Sequence, residues 1–597
     1  MTDLFIPLRN IRNFNSLFVL ALVCFSILIS SIAPPFTSPD EADHIKRAYF
    51  LSKGKIVLES INGGDSGGML DSGMYDYINS YYSKLMDNRQ HRFSQDEINY
   101  ASSISWAGEE RFSAAPGTNY YFPIIYAPQS AGLIVGKALG LSVDNSYRLS
   151  RLFATISAGI ILLLAFRICS PPALALFFLA IPMSLFQLSS SSIDGITTAI
   201  SILSISIFLK SCEISQKQTW KYLLYLSICV TMLLTSRIHM LPMIGLVFAT
   251  YFYTKSIRSV ISGTLSLLLV FTWLLIAMKT TVDSRVFVGA STSDVVLFYL
   301  KDPIAFFSVF FGTILDLPRA SAYLESFIGI LGWLDAPLTK SQYAFFYISS
   351  IIPAILTFRL ALVNELVFAR AMLLSCSVAS IFFIFFALLV TYNTHPANVI
   401  GGVQGRYFII PMIMASYAIG YGNIHSSLLK NLKYAYMAVF IVASSYITAT
   451  LLIKKYYVSE YYVKAPKVIS TEPSTPLSEE SPIVFKIVNA DSSARINRIG
   501  VMFATWARVN QGLAKIELYN GSDIVHHEDF DLSKINDNKY EYFNVDAPLI
   551  SSAKIISANG GGVSIWSVKY DYGEILPCLV YEFSNGARKF TPGCPTP

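Results

Sequence analysis

The residues best suited to chemistry lie in Pro39-Asp40-Glu41-Ala42-Asp43-His44, which follows an apolar run near the start of the chain. The prolines at positions 34, 35 and 39 end the preceding helix, because proline lacks an N–H and clashes with the previous turn. Acidic side chains at a membrane exit are costly to place and are usually functional. A carboxylate there can take a proton from an attacking hydroxyl group. The plain alternative is a solvated acidic loop.

Further polar residues are expected on the same side of the membrane. They are Ser192-Ile193-Asp194-Gly195, Arg237 with His239, and Gln404-Gly405-Arg406-Tyr407. Arginine binds phosphate bidentately and stabilises a phosphate leaving group, so this face suits a substrate with both a hydroxyl and a phosphate. Two simpler interpretations stay open. Asp194 could cap a helix, and Arg237 and Arg406 could reach towards lipid headgroups.

The composition is that of a membrane protein. Of 597 residues, 53% are hydrophobic and 14% are charged, whereas soluble domains carry about 25% charged residues. The mean hydropathy is +0.49. The net charge of +6 is spread between the apolar runs, which is typical of loops beside a membrane and not of nucleic-acid binding. We therefore expect a polytopic α-helical membrane protein that is embedded in a lipid bilayer and binds no nucleic acid.

About eleven apolar segments are near the length of a transmembrane helix. They are 16–33, 147–166, 173–188, 193–209, 220–234, 240–253, 260–278, 344–357, 371–390, 407–421 and 434–453. With a cytoplasmic N-terminus, the inner connections hold the basic residues, as the positive-inside rule expects. These residues are Arg167, Lys210, Lys217, Lys221, Lys255, Arg258, Arg359, Arg370, Lys430 and Lys433. We expect Tyr121–Leu141 to lie flat, because another span there would reverse all later segments.

The composition also predicts three parts of the chain. Residues 1–453 form a transmembrane domain with long outer loops at 34–146 and 280–343, residues 454–482 form a linker, and residues 483–597 form an extracytoplasmic β-sandwich. Strands are predicted at 483–487, 498–506, 515–519, 540–545, 553–556 and 563–570. Cys578 and Cys594 are expected to form a disulfide, which requires an oxidising compartment. Trp506 and Trp566 are expected in the core, with a carbohydrate platform left open for Trp566.

The first span and the acidic pair that follows it resemble the GT-C superfamily of membrane glycosyltransferases. An aromatic-Pro-x-x-Tyr-x-Pro pattern in residues 122–128 and the long loop at 280–343 fit the same superfamily. The motifs at 39–44, 192–195 and 404–407 resemble, more narrowly, a family of uncharacterised bacterial membrane proteins related to GT-C enzymes. That family includes phage-type O-antigen glucosyltransferases. The similarity covers roughly residues 1–453 and does not extend to the C-terminal domain.

The resemblance implies an inverting hexosyltransferase of the bacterial inner membrane. Its donor would be a polyprenyl-phosphate-linked sugar. Its acceptor would be a cell-envelope polysaccharide or a lipid-linked glycan, such as the O-antigen of lipopolysaccharide, at the extracytoplasmic face. Asp40 would be the general base and Glu41 would position the acceptor, while Arg406, alone or with Arg237, would hold the donor phosphate.

The resemblance also implies which residues contact the substrates or a metal. Substrate contacts are expected from His44, Asp194, Arg237, Gln404, Arg406 and Tyr407. The superfamily has a metal-free branch and a metal-dependent branch, and both fit. In the second, Mg²⁺ or Mn²⁺ would be held by Asp40, Glu41 and His44.

The alternative function is a flippase or transporter for lipid-linked glycans, or a polysaccharide assembly factor. Transport favours charged residues deep within the spans, where they line a path. Here the charged residues gather at the ends of the apolar segments. This distribution favours the transferase.

Overall fold

A computed structural model describes residues 14–213, 219–283, 290–358, 366–420, 427–458, 468–487, 496–545, 550–557, 562–570, 573–584 and 588–595. The chain divides into two compact units, Met1–Val458 and Ser459–Pro597, called here the N-terminal and C-terminal units. The predictions for Lys217, Arg359 and residues 459–467 of the linker fall outside the described residues.

The N-terminal unit is almost entirely helical. Its helices are α1 Phe14–Ile32, α2 Glu41–Ser52, α3 Ser72–Asp87, α4 Gln95–Ser103, α5 Ala127–Ala138, α6 Val143–Ile168, α7 Ala173–Ala180, α8 Pro182–Leu188, α9 Asp194–Glu213, α10 Thr219–Leu234, α11 Ile244–Thr254, α12 Ile257–Thr280, α13 Thr292–Lys301, α14 Pro303–Ile314, α15 Leu317–Gly329, α16 Lys340–Ser349, α17 Ile351–Thr357, α18 Val367–Tyr392, α19 Ile409–Gly420 and α20 Ser427–Tyr456. It also contains two small antiparallel sheets of two strands each: β1 Gly67–Asp71 with β2 Glu110–Ala114, and β3 Ile330–Leu331 with β4 Ala336–Pro337.

Six helices of the described chain are long and apolar enough to cross a membrane. They are α1, α6, α9, α12, α18 and α20. The pair α13 and α14, bent by 99°, counts as a seventh candidate if it is taken as one broken span. The prediction of a helical membrane protein with several spans is therefore confirmed, while the number eleven is not.

The other five predicted spans are short or interrupted helices. Pro182 separates α7 from α8, and the 3-10 helix Ile238–Met243, which contains Pro242, precedes α11. The 16 residues of α10 and the 12 of α19 fall short of the roughly 20 that a helix needs to cross the hydrocarbon core. Hydropathy does not reveal these breaks, because the apolar composition continues through them.

The segment predicted to lie flat contains a 3-10 helix, Pro123–Tyr126, followed by α5. At 12 residues, α5 is too short to span a bilayer. It packs closely on α6 through its glycines. A Cβ at Gly132 would lie 2.6 Å from the Cα of Ser150, and one at Gly136 would lie 2.5 Å from the Oγ of Ser146. This contact places Gln129, whose amide nitrogen donates to the carbonyls of Ser191 and Ser192.

The C-terminal unit is β-rich. Its strands are β5 Val468–Pro473, β6 Ile483–Lys486, β7 Ile496–Ala504, β8 Leu513–Asn520, β9 Asp523–Asp531, β10 Lys539–Asn544, β11 Ser552–Ser557, β12 Ser564–Tyr570, β13 Ile575–Pro577, β14 Leu579–Phe583 and β15 Arg588–Phe590. A four-stranded antiparallel sheet has the order β6-β11-β8-β9, and a seven-stranded sheet has the path β13-β12-β7-β14-β15, with β10 beside β7 and β5 beside β12. Ile499 and Val501 of the larger sheet and Ile516 and Leu518 of the smaller one share one hydrophobic core.

Three predictions for the C-terminal part need correction. The predicted linker 454–482 contains a strand, β5, which pairs with β12. Strands β9, β13, β14 and β15 were not predicted, and β9 is polar and lies at the edge of its sheet. Neither tryptophan is in the main core: Trp506 is 52% exposed, in a turn with φ of 59°, and Trp566 packs on a small separate cluster. Cys578 and Cys594 form the disulfide, with Cα atoms 5.6 Å apart.

Candidate functional site

The turn between α1 and α2 is held by buried contacts. Phe36 is fully buried and packs against the rings of Tyr77 and Tyr147. Its backbone nitrogen donates to the hydroxyl of Tyr147 at 3.3 Å, and its carbonyl accepts from Nε1 of Trp333 at 2.8 Å. Asp40 then takes a left-handed conformation, with φ of 61°, which Asp tolerates better than most residues. The turn thus directs the neighbouring carboxylates of Asp40 and Glu41 to different surroundings.

Glu41 lies in a sealed cluster with Arg151, Tyr147 and Ser191, called here the Glu41 cluster. Its side chain is fully buried, and Nε and Nη2 of Arg151 each donate to one carboxylate oxygen at 2.9 Å. Oε1 also accepts from the hydroxyl of Tyr147 at 2.9 Å and from the backbone nitrogen of Ser191 at 2.8 Å. Oε2 accepts from the backbone nitrogen of Ser38 at 3.4 Å. Both oxygens are therefore occupied by partners within the protein.

Arg151 also binds the end of α1. Its Nη1 donates to the carbonyls of Ser30 and Ala33, at 3.1 and 3.0 Å, which have no helical partner of their own. Sequence reasoning missed this residue, because the search considered only the ends of the apolar segments. The available signal was an arginine inside the predicted span 147–166, since a buried charge in such a segment requires a partner.

A second cluster, called here the Arg406 cluster, consists of Asp40, Asp194, Arg237 and Arg406. Nη2 of Arg406 lies 3.3 Å from Oδ2 of Asp40, and Nη1 lies 3.3 Å from Oδ2 of Asp194. Arg237 pairs with the other oxygen of Asp194. The structure thus brings together predicted residues that are up to 366 positions apart in sequence. The side chain of Asp40 is 37% exposed, while that of Asp194 is 14% exposed.

Gly405 sets the position of Arg406. The two residues begin the 3-10 helix Gly405–Phe408, and the backbone nitrogen of Gly405 donates to the hydroxyl of Ser326 at 3.0 Å. A Cβ at Gly405 would overlap the backbone nitrogen of Phe327, at the end of α15. Only glycine allows this approach, so residue 405 acts by placing its neighbour.

Arg237 is held by aromatic contacts. Its guanidinium lies 5.6 Å from the ring centre of Tyr121. The Tyr121 ring stacks on the imidazole of His44, with the ring centres 6.1 Å apart. The aromatic segment at 120–128 therefore supports the Arg406 cluster from the side of α2.

His44 is buried, and its Nδ1 lies 2.7 Å from the hydroxyl of Tyr126. Burial lowers the pKa of His44 well below 6.5, and the charges of Arg237 and Arg406 lower that pKa further. The imidazole is therefore neutral at pH 7. Its Nδ1 bonds to a buried tyrosine hydroxyl, so the structure places His44 as a support behind the Arg406 cluster.

A cleft of about 460 Å³, its mouth included, adjoins the Arg406 cluster. Its polar lining includes Asp194, Arg237, His239, Arg406 and Tyr407, and its apolar lining includes Leu179, Leu188, Ile409 and Ile410. Asp40 pairs with Arg406 but does not line the cleft. The lining thus combines charged side chains of both signs with hydrocarbon side chains.

The structure places the last two predicted substrate residues beside Arg406. The ring centre of Tyr407 lies 5.3 Å from the Arg406 guanidinium. Oε1 of Gln404 is buried with no hydrogen-bond partner in the described chain. An unpaired buried carbonyl oxygen is costly, so it is available to a ligand donor.

The motifs at 39–44, 192–195 and 404–407 lie within a single match to a family model. The model for predicted membrane proteins named DUF2142 matches residues 22–415. The chain belongs to the DUF2142 family. All members of both clusters lie within the matched residues, and the whole C-terminal unit lies beyond them. No curated protein and no solved structure matches the chain.

The donor set does not fit the metal site that the resemblance allowed. No three His, Cys, Asp or Glu residues in the described chain lie close enough together to hold a metal ion. Glu41 is committed to Arg151, and His44 to Tyr126. Asp40 has an arginine as its neighbour.

Proposed function

We propose that this protein is an inverting glycosyltransferase of the bacterial cytoplasmic membrane. It transfers a sugar from a polyprenyl phosphate to a surface polysaccharide or a lipid-linked glycan, such as an O-antigen. The observation that carries the proposal is the Arg406 cluster. It joins a partly exposed carboxylate to two buried arginines, beside a cleft that has both polar and apolar side chains in its lining.

The chemistry of the cleft lining suits the donor. Its phosphate binds Arg406 and Arg237, which can each give paired N–H bonds to phosphate oxygens, and the start of its lipid chain lies along Leu188 and Ile410. When the phosphate takes Nη2 of Arg406, Asp40 is released from its ion pair. Gln404 and Tyr407 contact the donor from the adjacent 3-10 turn.

Asp40 is the general base in this proposal. Its carboxylate accepts the proton of the acceptor hydroxyl, whose oxygen forms a bond to the anomeric carbon. The bond from that carbon to the phosphate oxygen breaks, and its electron pair leaves with the polyprenyl phosphate, where the arginines stabilise the charge. A single displacement inverts the anomeric carbon. Glu41, Asp194 and His44 are positioning residues, and the donor set favours the metal-free branch.

The proposed topology keeps the eleven-pass arrangement, in which the five short or broken helices cross inside the bundle, where the non-helical backbone at their ends is shielded from lipid by protein. The N-terminus is cytoplasmic and the C-terminal unit is extracytoplasmic. The disulfide between Cys578 and Cys594 supports an extracytoplasmic C-terminal unit, because disulfides persist in oxidising compartments.

The test is sugar transfer by the purified full-length protein in liposomes. A panel of radiolabelled polyprenyl-phosphate sugars is supplied with a lipid-linked glycan acceptor, with and without EDTA. We expect Asp40→Asn to lower the rate at least about 100-fold, since general-base catalysis contributes about 10²–10⁴-fold. The matched control is Asp76→Asn, which changes an exposed carboxylate paired with Arg111 in the same loop and should keep the wild-type rate.

Equal rates for Asp40→Asn and the wild type would refute the role of Asp40. Absence of transfer by folded protein with every donor would refute the transferase. Movement of the lipid-linked sugar across the bilayer without covalent transfer would instead establish the flippase.

A further inference from the structure

A second cleft lies in the C-terminal unit, on the face of the seven-stranded sheet that points away from the main core. Met502 and Trp566 immediately adjoin the core residues Phe503 and Ile565 on β7 and β12. Successive side chains of a strand point to opposite faces. Met502 and Trp566 therefore belong to the outer face, where they form a small separate cluster with Tyr540.

Trp566 is held rigidly on this face while part of its ring stays accessible. Its Nε1 donates to Oδ1 of Asn538 at 2.8 Å. Asn538 is anchored in turn, because its backbone nitrogen donates to the carbonyl of Phe503 at 2.9 Å. The indole plane is thus fixed before any ligand binds, which lowers the entropic cost of binding.

The end of the chain forms a wall of this cleft. Cys594 is tied to Cys578 in the sheet, and the hydroxyl of Tyr540 donates to the carbonyl of Pro595 at 2.8 Å. Gly593 has φ of +85°, and a Cβ there would overlap the side chain of Val468 on β5. These contacts hold residues 593–595 against the sheet, and the disulfide acquires a role in shaping the cleft.

The lining has the chemistry of a site for neutral, hydroxylated ligands. The cleft encloses about 900 Å³, its mouth included, and is lined by Thr471, Met502, Asn538, Trp566 and residues 593–595. None of these described lining residues is charged. The side-chain amide of Asn538 has one N–H and one lone pair beyond its bonds to Asp537 and Trp566. A pyranose ring has an apolar C–H face that matches an indole, and hydroxyls at its edge that match an amide.

We infer that this cleft binds a neutral glycan, with one pyranose ring stacked on Trp566 and its hydroxyls bonded to Asn538 and Thr471. The inference does not depend on sugar transfer by the N-terminal unit. A protein that only binds glycan would satisfy it equally well.

The test measures glycan binding to the full-length protein in nanodiscs by isothermal titration calorimetry. The probes are neutral glucan, mannan and galactan tetrasaccharides, an acidic hyaluronan tetrasaccharide and a decaproline peptide. We expect at least one neutral probe to bind, and Trp566→Ala to weaken that binding at least about tenfold. Trp506→Ala is the matched control. It removes an exposed tryptophan of the same unit that does not line the cleft, and should leave affinity within about twofold.

Thermal unfolding identifies a variant that fails to fold. If Trp566→Ala does so, Thr471→Val replaces it, since it removes one hydroxyl at nearly constant volume and should weaken binding about threefold. Equal losses in Trp566→Ala and Trp506→Ala would overturn the inference. So would tighter binding of decaproline or hyaluronan than of every neutral probe, or no binding of any neutral probe.

Discussion

Asp40 of the Arg406 cluster and Glu41 of the Glu41 cluster are neighbours in sequence, yet the two clusters differ in burial and in how their arginines are shared. Glu41 is fully buried and both its oxygens are bonded within the protein, while Asp40 is 37% exposed. Arg151 serves one carboxylate and the end of α1, whereas Arg406 is shared between two carboxylates from distant parts of the chain. The first arrangement stabilises a turn, and the second leaves charge accessible to a ligand. Adjacent residues of similar chemistry can therefore divide support and reaction between them.

The largest expected effect is loss of stability in Arg151→Met. The substitution leaves the Glu41 carboxylate buried without its cation, which costs about 3–5 kcal/mol. Thermal and denaturant unfolding in detergent micelles measure the loss. Asp40→Asn, in the Arg406 cluster, should lower the free energy of unfolding by less than about 1 kcal/mol, because its partly exposed ion pair is screened by solvent. Similar losses in the two variants would abolish the proposed distinction between the clusters.

Gly405→Ala tests how the Arg406 cluster is assembled. The added methyl group overlaps the backbone of Phe327, so we expect a destabilisation of about 1–3 kcal/mol. It should also displace Arg406 and slow sugar transfer in the liposome assay. Gly312→Ala, within α14, is the control, since a Cβ there would lie 3.9 Å from the backbone oxygen of Asn398, which is an ordinary contact. Wild-type stability and transfer in Gly405→Ala would show that the close contact does not position Arg406.

The smallest expected effect is a loss of stability at low pH that comes from His44, behind the Arg406 cluster. The pKa of His44 is lowered from 6.5, so below pH 6.5 the unfolded chain binds a proton that the folded protein does not. Stability is therefore full above this pH and falls as the pH decreases, by about 1 kcal/mol between pH 6.5 and 5.5. His44→Gln retains a partner for Tyr126 and should remove this part of the pH dependence. Unfolding measured at both pH values checks it, and identical slopes in the two proteins would argue against the assignment.

The composition of the Arg406 cluster could be anticipated from sequence, because each member adjoins the end of an apolar segment. Ends of segments on one side of a helical bundle can converge, and Arg406 contacts both Asp40 and Asp194. The partners of Glu41 could not be anticipated in this way. Residue types and spacing do not reveal which of two adjacent carboxylates turns inwards, since that depends on the left-handed backbone of Asp40.

The number of long helices was overestimated for a related reason. Hydropathy reports the burial of a segment and not the continuity of its backbone. Residues 173–188 are apolar throughout, yet Pro182 divides them into α7 and α8. In the C-terminal unit, by contrast, the period-2 pattern placed strands such as β8 and β12 within a few residues. It missed β9, an edge strand with few buried side chains, and also the short strands β13, β14 and β15.

The shared pairing of Arg406 has a consequence for anion selectivity. Two arginines and two aspartates make the cluster electrically neutral without any bound ligand. Chloride would have to displace a carboxylate to enter, and it would gain little in exchange. A phosphate ester, whose oxygens accept several hydrogen bonds at once, can repay that displacement. The cluster thus carries its own counter-ions, and we expect them to disfavour small anions such as chloride.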